Sequence, residues 1–248
     1  KYHGWTYSIN GQLMSPRGFN KSEIAVEELC LKNINTKVWK GLIFINFCDK
    51  PKSFGNTFND IEKVLAPYKL ENFVFDRRVS YSVKSNWKVY LDNFLEGLHI
   101  PIVHPGLNDV MDYKSYNTKL YKNFSVQSGK LDDSKSPYGQ SSNNVAYYFT
   151  IYPNILFNIA PGRFQTNIIE PLNEKECVIH FDYFFDSVCE KEILNDINFS
   201  DEIQKEDILI CEGVQKNLIS IGFEHGIISD KYEIGVKHFQ DYIRSNIN

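Results

Sequence analysis

The chain has 248 residues, 42% apolar and 23% charged, enough for one large domain, or a domain and a fragment, with a real core. Lysine and arginine total 27 against 31 aspartates and glutamates, a net charge of −4, so no basic field exists to hold nucleic acid or an anionic lipid surface. No apolar run approaches the ~20 residues that cross a bilayer, and five scattered cysteines without a CxxC pair predict a cytoplasmic protein with reduced thiols rather than a disulfide framework.

Residues 1–50 combine turn signals (Asn10-Gly11, Ser15-Pro16, Arg17-Gly18) with short apolar runs that end in Val38-Trp39-Lys40-Gly41-Leu42-Ile43-Phe44, and read as a small all-β piece. Lys1-Tyr2-His3-Gly4-Trp5 has neither the charged nor the apolar region of a signal peptide, and a chain cut short at its N-terminus is expected. Pro51 to Gly55 breaks the strand pattern and separates 1–50 from 51–248. A helix over 57–66 ends at Pro67, and 77–84 alternates as a strand. Ser85 is the expected N-cap of a helix over 86–98. The polar stretch 106–141 has the length of a functional loop or lid. Strands follow at 144–152, at 154–170 with a break at Pro161-Gly162, and at 176–186, then helices at 200–221 and 229–246. The fold class is α+β, without internal repeats.

Glu96, His99 and His104 place three potential ligands within nine residues. On a helix Glu96 and His99 fall about 60° apart, whereas His104 lies about 140° from His99, so an unbroken helix cannot bring both imidazoles to one ion. Pro101 supplies the break that lets His104 turn back. A solvated polar face accounts for Asp92, Asn93, Glu96 and His99 equally well, and an HxxxxH pair is a weak signal alone. Asp207 sits at the centre of a stripe formed by Ile203, Ile210, Cys211, Val214, Leu218 and Ile221, with Glu202, Glu206 and Glu212 off it. A core-facing carboxylate needs a metal, a cation or several donors; an arginine or backbone amides would serve. Two histidines and one carboxylate form the facial triad of non-haem Fe(II) oxygenases.

Lys1-Tyr2-His3-Gly4-Trp5 resembles the second half of the C-x-x-H-G-W motif in the α subunits of Rieske non-haem iron oxygenases. Asn86 to His99, with His104-Pro105-Gly106-Leu107, is similar to their iron-binding segment, and Glu206-Asp207-Ile208 with Cys211-Glu212-Gly213 to the segment that supplies the carboxylate ligand. Tyr152-Pro153-Asn154 and Ala160-Pro161-Gly162-Arg163 follow the same style. The resemblance implies a C-terminal remnant of a Rieske β domain over 1–50 and a helix-grip catalytic domain over 51–248, a curved antiparallel sheet around long helices. It implies mononuclear Fe(II) on His99, His104 and Asp207, and Glu96 as the catalytic link to the Rieske histidine of a neighbouring subunit in a homotrimer. His3 is the implied cluster ligand. A [2Fe-2S] centre needs two cysteines and two histidines, so it belongs to the full-length protein only. Leu98 replaces the aromatic residue common before the first iron histidine.

The implied activity is that of a terminal oxygenase, which activates O2 and hydroxylates an organic substrate with electrons from NAD(P)H through a reductase or ferredoxin. Quaternary ammonium compounds and small aromatics are the expected substrates, with Tyr147, Tyr148, Phe149, Tyr152 and Phe157 as candidates for an aromatic cage. The alternatives are a non-redox helix-grip module that binds a hydrophobic ligand and a hydrolytic zinc enzyme.

Overall fold

The computed structural model describes residues 2–132, 134–138, 143–186 and 189–247 and divides into two compact units, Lys1–Phe58 and Asn59–Asn248. In the first, β1 (Thr6–Tyr7) pairs with β2 (Leu13–Ser15), and β3 (Asn35–Trp39) with β4 (Leu42–Asn46). The apolar run at 38–44 is a hairpin. Lys40 and Gly41 turn it with φ of 48° and 82°, the paired positive values of a tight two-residue turn. Trp39 is buried edge-on against Phe58, with ring centroids 5.1 Å apart. The division between the units falls inside helix α1 (Gly55–Leu65) rather than ahead of it.

The second unit is built on a seven-stranded antiparallel sheet. Its strands are β5 (Val74–Val83), β6 (Met111–Leu120), β7 (Phe124–Leu131), β8 (Val145–Ile151), β9 (Ile155–Ala160), β10 (Arg163–Asn173) and β11 (Glu176–Phe185), in the order β5-β11-β10-β9-β8-β7-β6. Alternation sets the faces: in β11, Cys177, Ile179, Phe181, Tyr183 and Phe185 are buried while the residues between are partly exposed, as a strand with one core face requires. That face packs in one core with α2 (Trp87–Phe94), α5 (Glu190–Leu218) and α6 (Ile234–Asn246) through Leu91, Ile197, Val236 and Phe239. Gly235 admits this approach, since a Cβ there would stand 2.5 Å from the Leu95 carbonyl oxygen.

Several expectations are corrected. The stretch 106–141 is largely β6 and β7 rather than a loop, because Ser125 and Gln127 occupy buried strand positions and hide the apolar period; residues 133 and 139–142 lie outside the described residues. Asn86, not Ser85, caps α2: its side chain accepts from the Lys88 amide at 3.0 Å, while Ser85 is turned inward and fully buried. Helix α5 begins ten residues earlier than expected, since its buried face carries Asp196, Ser200 and Gln204 among Ile197 and Cys211, and hydrophobic periodicity cannot see polar core residues. Apart from Cys211, the later part of the expected stripe is not core, with Ile210, Val214, Leu218 and Ile221 all exposed.

Asp92 on α2 has one oxygen bound by Gln240 Nε2 at 3.1 Å and the other without a partner. Burial pushes its pKa up to about 6. The folded pKa lies above the unfolded one, so the folded state holds more protons between about pH 4 and 6 and loses stability as pH rises through that window. Asp92→Asn should therefore stabilise the protein at pH 7 by up to about 3 kcal/mol, with the gain vanishing near pH 4. Urea denaturation at the two pH values checks this.

Candidate metal centre

Helix α2 stops at Phe94, ahead of Pro101, and its last carbonyl is taken by Gln127 Nε2 of β7 at 2.7 Å. The helix end is thereby satisfied without a further turn. Pro101 is the second residue of a new short helix, α3 (Ile100–Val103), and Pro105 opens another, α4 (Pro105–Val110). Proline suits the first turn of a helix, where no intrahelical amide bond is made. His99 therefore precedes α3, and His104 lies between α3 and α4. Gly97 lets this turn close: a Cβ there would come within 2.6 Å of the Tyr116 ring.

This break brings His99 and His104 to Asp207 on α5, with one ligand atom of each residue within 4.8 Å of the others. His104 Nε2 is 3.1 Å, and His99 Nε2 3.8 Å, from Asp207 Oδ1. With metal–ligand bonds of about 2.1 Å, neighbouring ligands of one ion stand about 3 Å apart, so this spacing fits a shared cation. Asn93 Nδ2 donates to the same Asp207 oxygen at 2.6 Å.

The other ring nitrogens sharpen the point. His99 Nδ1 is engaged by Glu96 Oε1, whose second oxygen accepts from the Leu98 amide, and His104 Nδ1 is 2.7 Å from Glu206 Oε2. Ionised carboxylates only accept, so each Nδ1 carries the hydrogen and each neutral imidazole presents a lone pair from Nε2. That lone pair faces the Asp207 carboxylate, another acceptor. Acceptors in contact need a cation or an additional proton between them. Burial opposes protonation of His104, but hydrogen bonds with Asp207 and Glu206 outweigh it and raise its pKa. Carboxylates that orient ligand imidazoles through the distal nitrogen are the usual support of a metal site. Glu206, expected to point away, is one of them, and Glu212 accepts from the Lys84 amide at 3.1 Å. Glu206→Gln should weaken metal binding about 10- to 100-fold, measured by chelator competition.

Residues 70–248 match the family described as ring hydroxylating alpha subunit (catalytic domain). The chain belongs to this family. Over 99% of its length it is 28% identical to the chloroplastic choline monooxygenase of Arabidopsis thaliana, of which it spans 62%. Over 98% it is 27% identical to the carnitine monooxygenase oxygenase subunit of Acinetobacter pittii (strain PHEA-2), of which it spans 70%. A solved quaternary ammonium Rieske monooxygenase superposes over 98% of this chain and 70% of its own, with a TM-score of 0.85 at 21% identity.

A cavity of about 90 Å³ reaches His99, His104 and Asp207 and is lined by the aromatic residues Tyr90, Phe94, Tyr116, Tyr138, Tyr148 and Phe181. Of the five strand aromatics expected to form a cage, only Tyr148 lines it. Tyr147 and Phe149 flank it on the opposite face of β8, Tyr152 bonds His238 Nδ1 at 2.8 Å, and Phe157 packs on Phe164. Burial raises the phenol pKa of Tyr90 and Tyr148 well above the ordinary value, so both are neutral.

The polar wall of the cavity away from the metal centre, formed by Asn158, Arg163, Asn167, Ser200 and Gln204, had no signal in the sequence beyond isolated amides in strands. Helix α5 presents Asp207, Gln204, Ser200 and Asp196 at helical spacing, so Asp196 lies about 16 Å along the axis from Asp207 at 1.5 Å per residue. Arg163 Nη1 donates to Asp196 Oδ1 at 2.8 Å, both side chains are buried, and the guanidinium lies 4.7 Å from the Tyr138 ring centroid. Across the sheet, register aligns Gln127, Tyr148, Asn158, Gln165 and Tyr183 in one row, and Ser125, Thr150, Leu156, Asn167 and Phe181 in the next.

His3 belongs to the first unit, beside Tyr2, Gly4, Trp5 and Arg17 in a separate cavity. Its ring makes an edge contact with Tyr2. Among the described residues no helix is long and apolar enough to cross a membrane.

Proposed function

We propose that the chain is the greater part of a terminal oxygenase that hydroxylates a quaternary ammonium compound at a mononuclear Fe(II) held by His99, His104 and Asp207. The convergence of two Nε2 lone pairs on one Asp207 oxygen carries this reading. Bound there, ferrous iron would supply O2 activation with coordination positions left open for oxygen and substrate. The protein's own groups do the rest: Glu96 and Glu206 hold the imidazoles in one tautomer, Asn93 orients Asp207, and the aromatic wall excludes water. A trimethylammonium group finds aromatic faces in Tyr90, Phe94, Tyr116, Tyr138, Tyr148 and Phe181, each worth roughly 0.5–2 kcal/mol as a cation–π partner. Names of relatives support this class, since they include choline and carnitine monooxygenases.

Residues 1–50 are the C-terminal remnant of a Rieske domain, with His3 as a ligand of the [2Fe-2S] cluster that only the longer protein completes. Electrons from NAD(P)H arrive through a reductase, and Glu96 links the iron to the cluster of the next subunit in a homotrimer. The relative's structure that concerns inter-subunit electron transfer supports that arrangement. The free cysteines suit a reducing compartment such as the cytoplasm. A metal-free binding module leaves the facing acceptors unexplained, and a hydrolytic zinc site leaves the redox relatives unexplained.

The full-length protein with its reductase should consume O2 and NADH when given choline or carnitine and release a hydroxylated product. Oxygen uptake that neither compound stimulates would end the quaternary ammonium reading.

A further inference from the structure

We infer that the sheet side of the cavity selects a quaternary ammonium substrate whose polar end is a neutral hydroxyl rather than a carboxylate. This rests on the quaternary ammonium reading above and narrows it.

Arg163 is the only lysine or arginine among the described residues that line the cavity. Its charge is already cancelled by Asp196 at 2.8 Å, with both side chains at most 5% exposed. The remaining formal charges on the lining belong to Glu96 and Asp207, which the metal centre uses. No positive charge is left over for an anionic ligand, and a carboxylate brought here would be desolvated beside a neutral pair. A monocation meets aromatic faces and no uncancelled cation.

Four lining residues each carry a buried polar atom without a partner: Arg163 Nε, Asn158 Oδ1, Asn167 Nδ2 and Gln204 Nε2. Native interiors rarely leave such atoms unpaired. Arg163 Nε, Asn167 Nδ2 and Gln204 Nε2 are donors, the last two because their amide oxygens already accept from Gln165 and Tyr90, and Asn158 Oδ1 is an acceptor. A hydroxyl can donate to Asn158 Oδ1 while it accepts from one of the donors; a carboxylate only accepts and would leave Asn158 Oδ1 facing another acceptor. A site built to bond a hydroxyl discriminates strongly against an analogue that lacks it.

Anaerobic calorimetry on the full-length Fe(II)-bound protein tests this with choline, ethyltrimethylammonium and carnitine. Choline should bind about 10-fold or more tightly than either of the others. Carnitine binding as tightly as choline would overturn the inference while leaving the quaternary ammonium reading intact. Ethyltrimethylammonium binding as tightly as choline would remove the hydroxyl's role. Failure of all three to bind would sink the reading and the inference together. Asp196→Asn frees the Arg163 charge and should shift the choline-to-carnitine affinity ratio at least about 10-fold toward carnitine. An unchanged ratio in a folded variant would overturn the charge argument. Should that variant not fold, the ranking by the wild-type protein still decides.

Discussion

Replacing Asp207 by alanine should empty the metal centre. Its Oδ1 stands 3.1 Å from His104 Nε2 and 3.8 Å from His99 Nε2, so its loss leaves two imidazoles and no anionic ligand. After anaerobic Fe(II) reconstitution, iron should fall from about one per chain to about a tenth or less, in line with a three-ligand facial site. His104→Ala should do the same. The two variants differ in what they cost the fold. His104 is 1% exposed, and its removal leaves a cavity. Asp207→Ala removes an acceptor that, without metal, faces two ring nitrogens, and it also leaves Asn93 Nδ2 without its acceptor. The metal-free Asp207→Ala protein should therefore melt close to metal-free wild type, whereas added Fe(II) should raise the melting temperature of wild type alone. Full iron content in Asp207→Ala would eliminate Asp207 as a ligand.

How much of this was legible beforehand follows from what each signal depends on. His99, His104 and Asp207 were readable because two imidazoles around a proline and a carboxylate at helical spacing among apolar residues are local patterns, and the family resemblance joined them. The break itself was misplaced. Pro101 drew attention as a breaker, while the actual stop at Phe94 depends on Gln127 of β7, 33 residues away, a tertiary contact that local spacing cannot report. The wheel sets Glu206 off the stripe because it assigns direction from one helix alone; its partner, His104, comes from another element. The polar wall was least visible. Ser125, Gln127, Asn158, Gln165 and Asn167 are buried polar residues in strands, and a pattern search that equates burial with hydrophobicity reads β7 as loop. The same blindness shortened α5, whose inner face carries Asp196, Ser200 and Gln204. Polar residues in a core break propensity rules where a ligand is to be met, and of these Asn158, Asn167, Ser200 and Gln204 line the cavity.

Glu96→Gln should leave iron in place and stop turnover. Both oxygens of Glu96 accept within its own turn, one from His99 Nδ1 and one from the Leu98 amide. Glutamine offers one acceptor and one donor group in the same space, so either His99 Nδ1–H or the Leu98 amide must face an NH2. The imidazole keeps Nε2 available, and His104 and Asp207 are untouched, so iron content should drop less than about 10-fold in affinity, at the low end for a residue that supports a ligand. The effect on rate should be larger. A carboxylate hydrogen-bonded to a ligand imidazole raises that ligand's basicity, and the proposed role of Glu96 as link to a neighbouring cluster would place it on the electron path. Turnover driven by NADH and reductase in the full-length protein should fall at least about 100-fold, the upper range for such a partner. The split between the two readouts is the test. Iron and turnover lost in parallel would make Glu96 a residue that merely supports His99. Wild-type turnover with full iron would remove it from the electron path altogether. Retained iron with turnover abolished is the outcome that only the linking role requires.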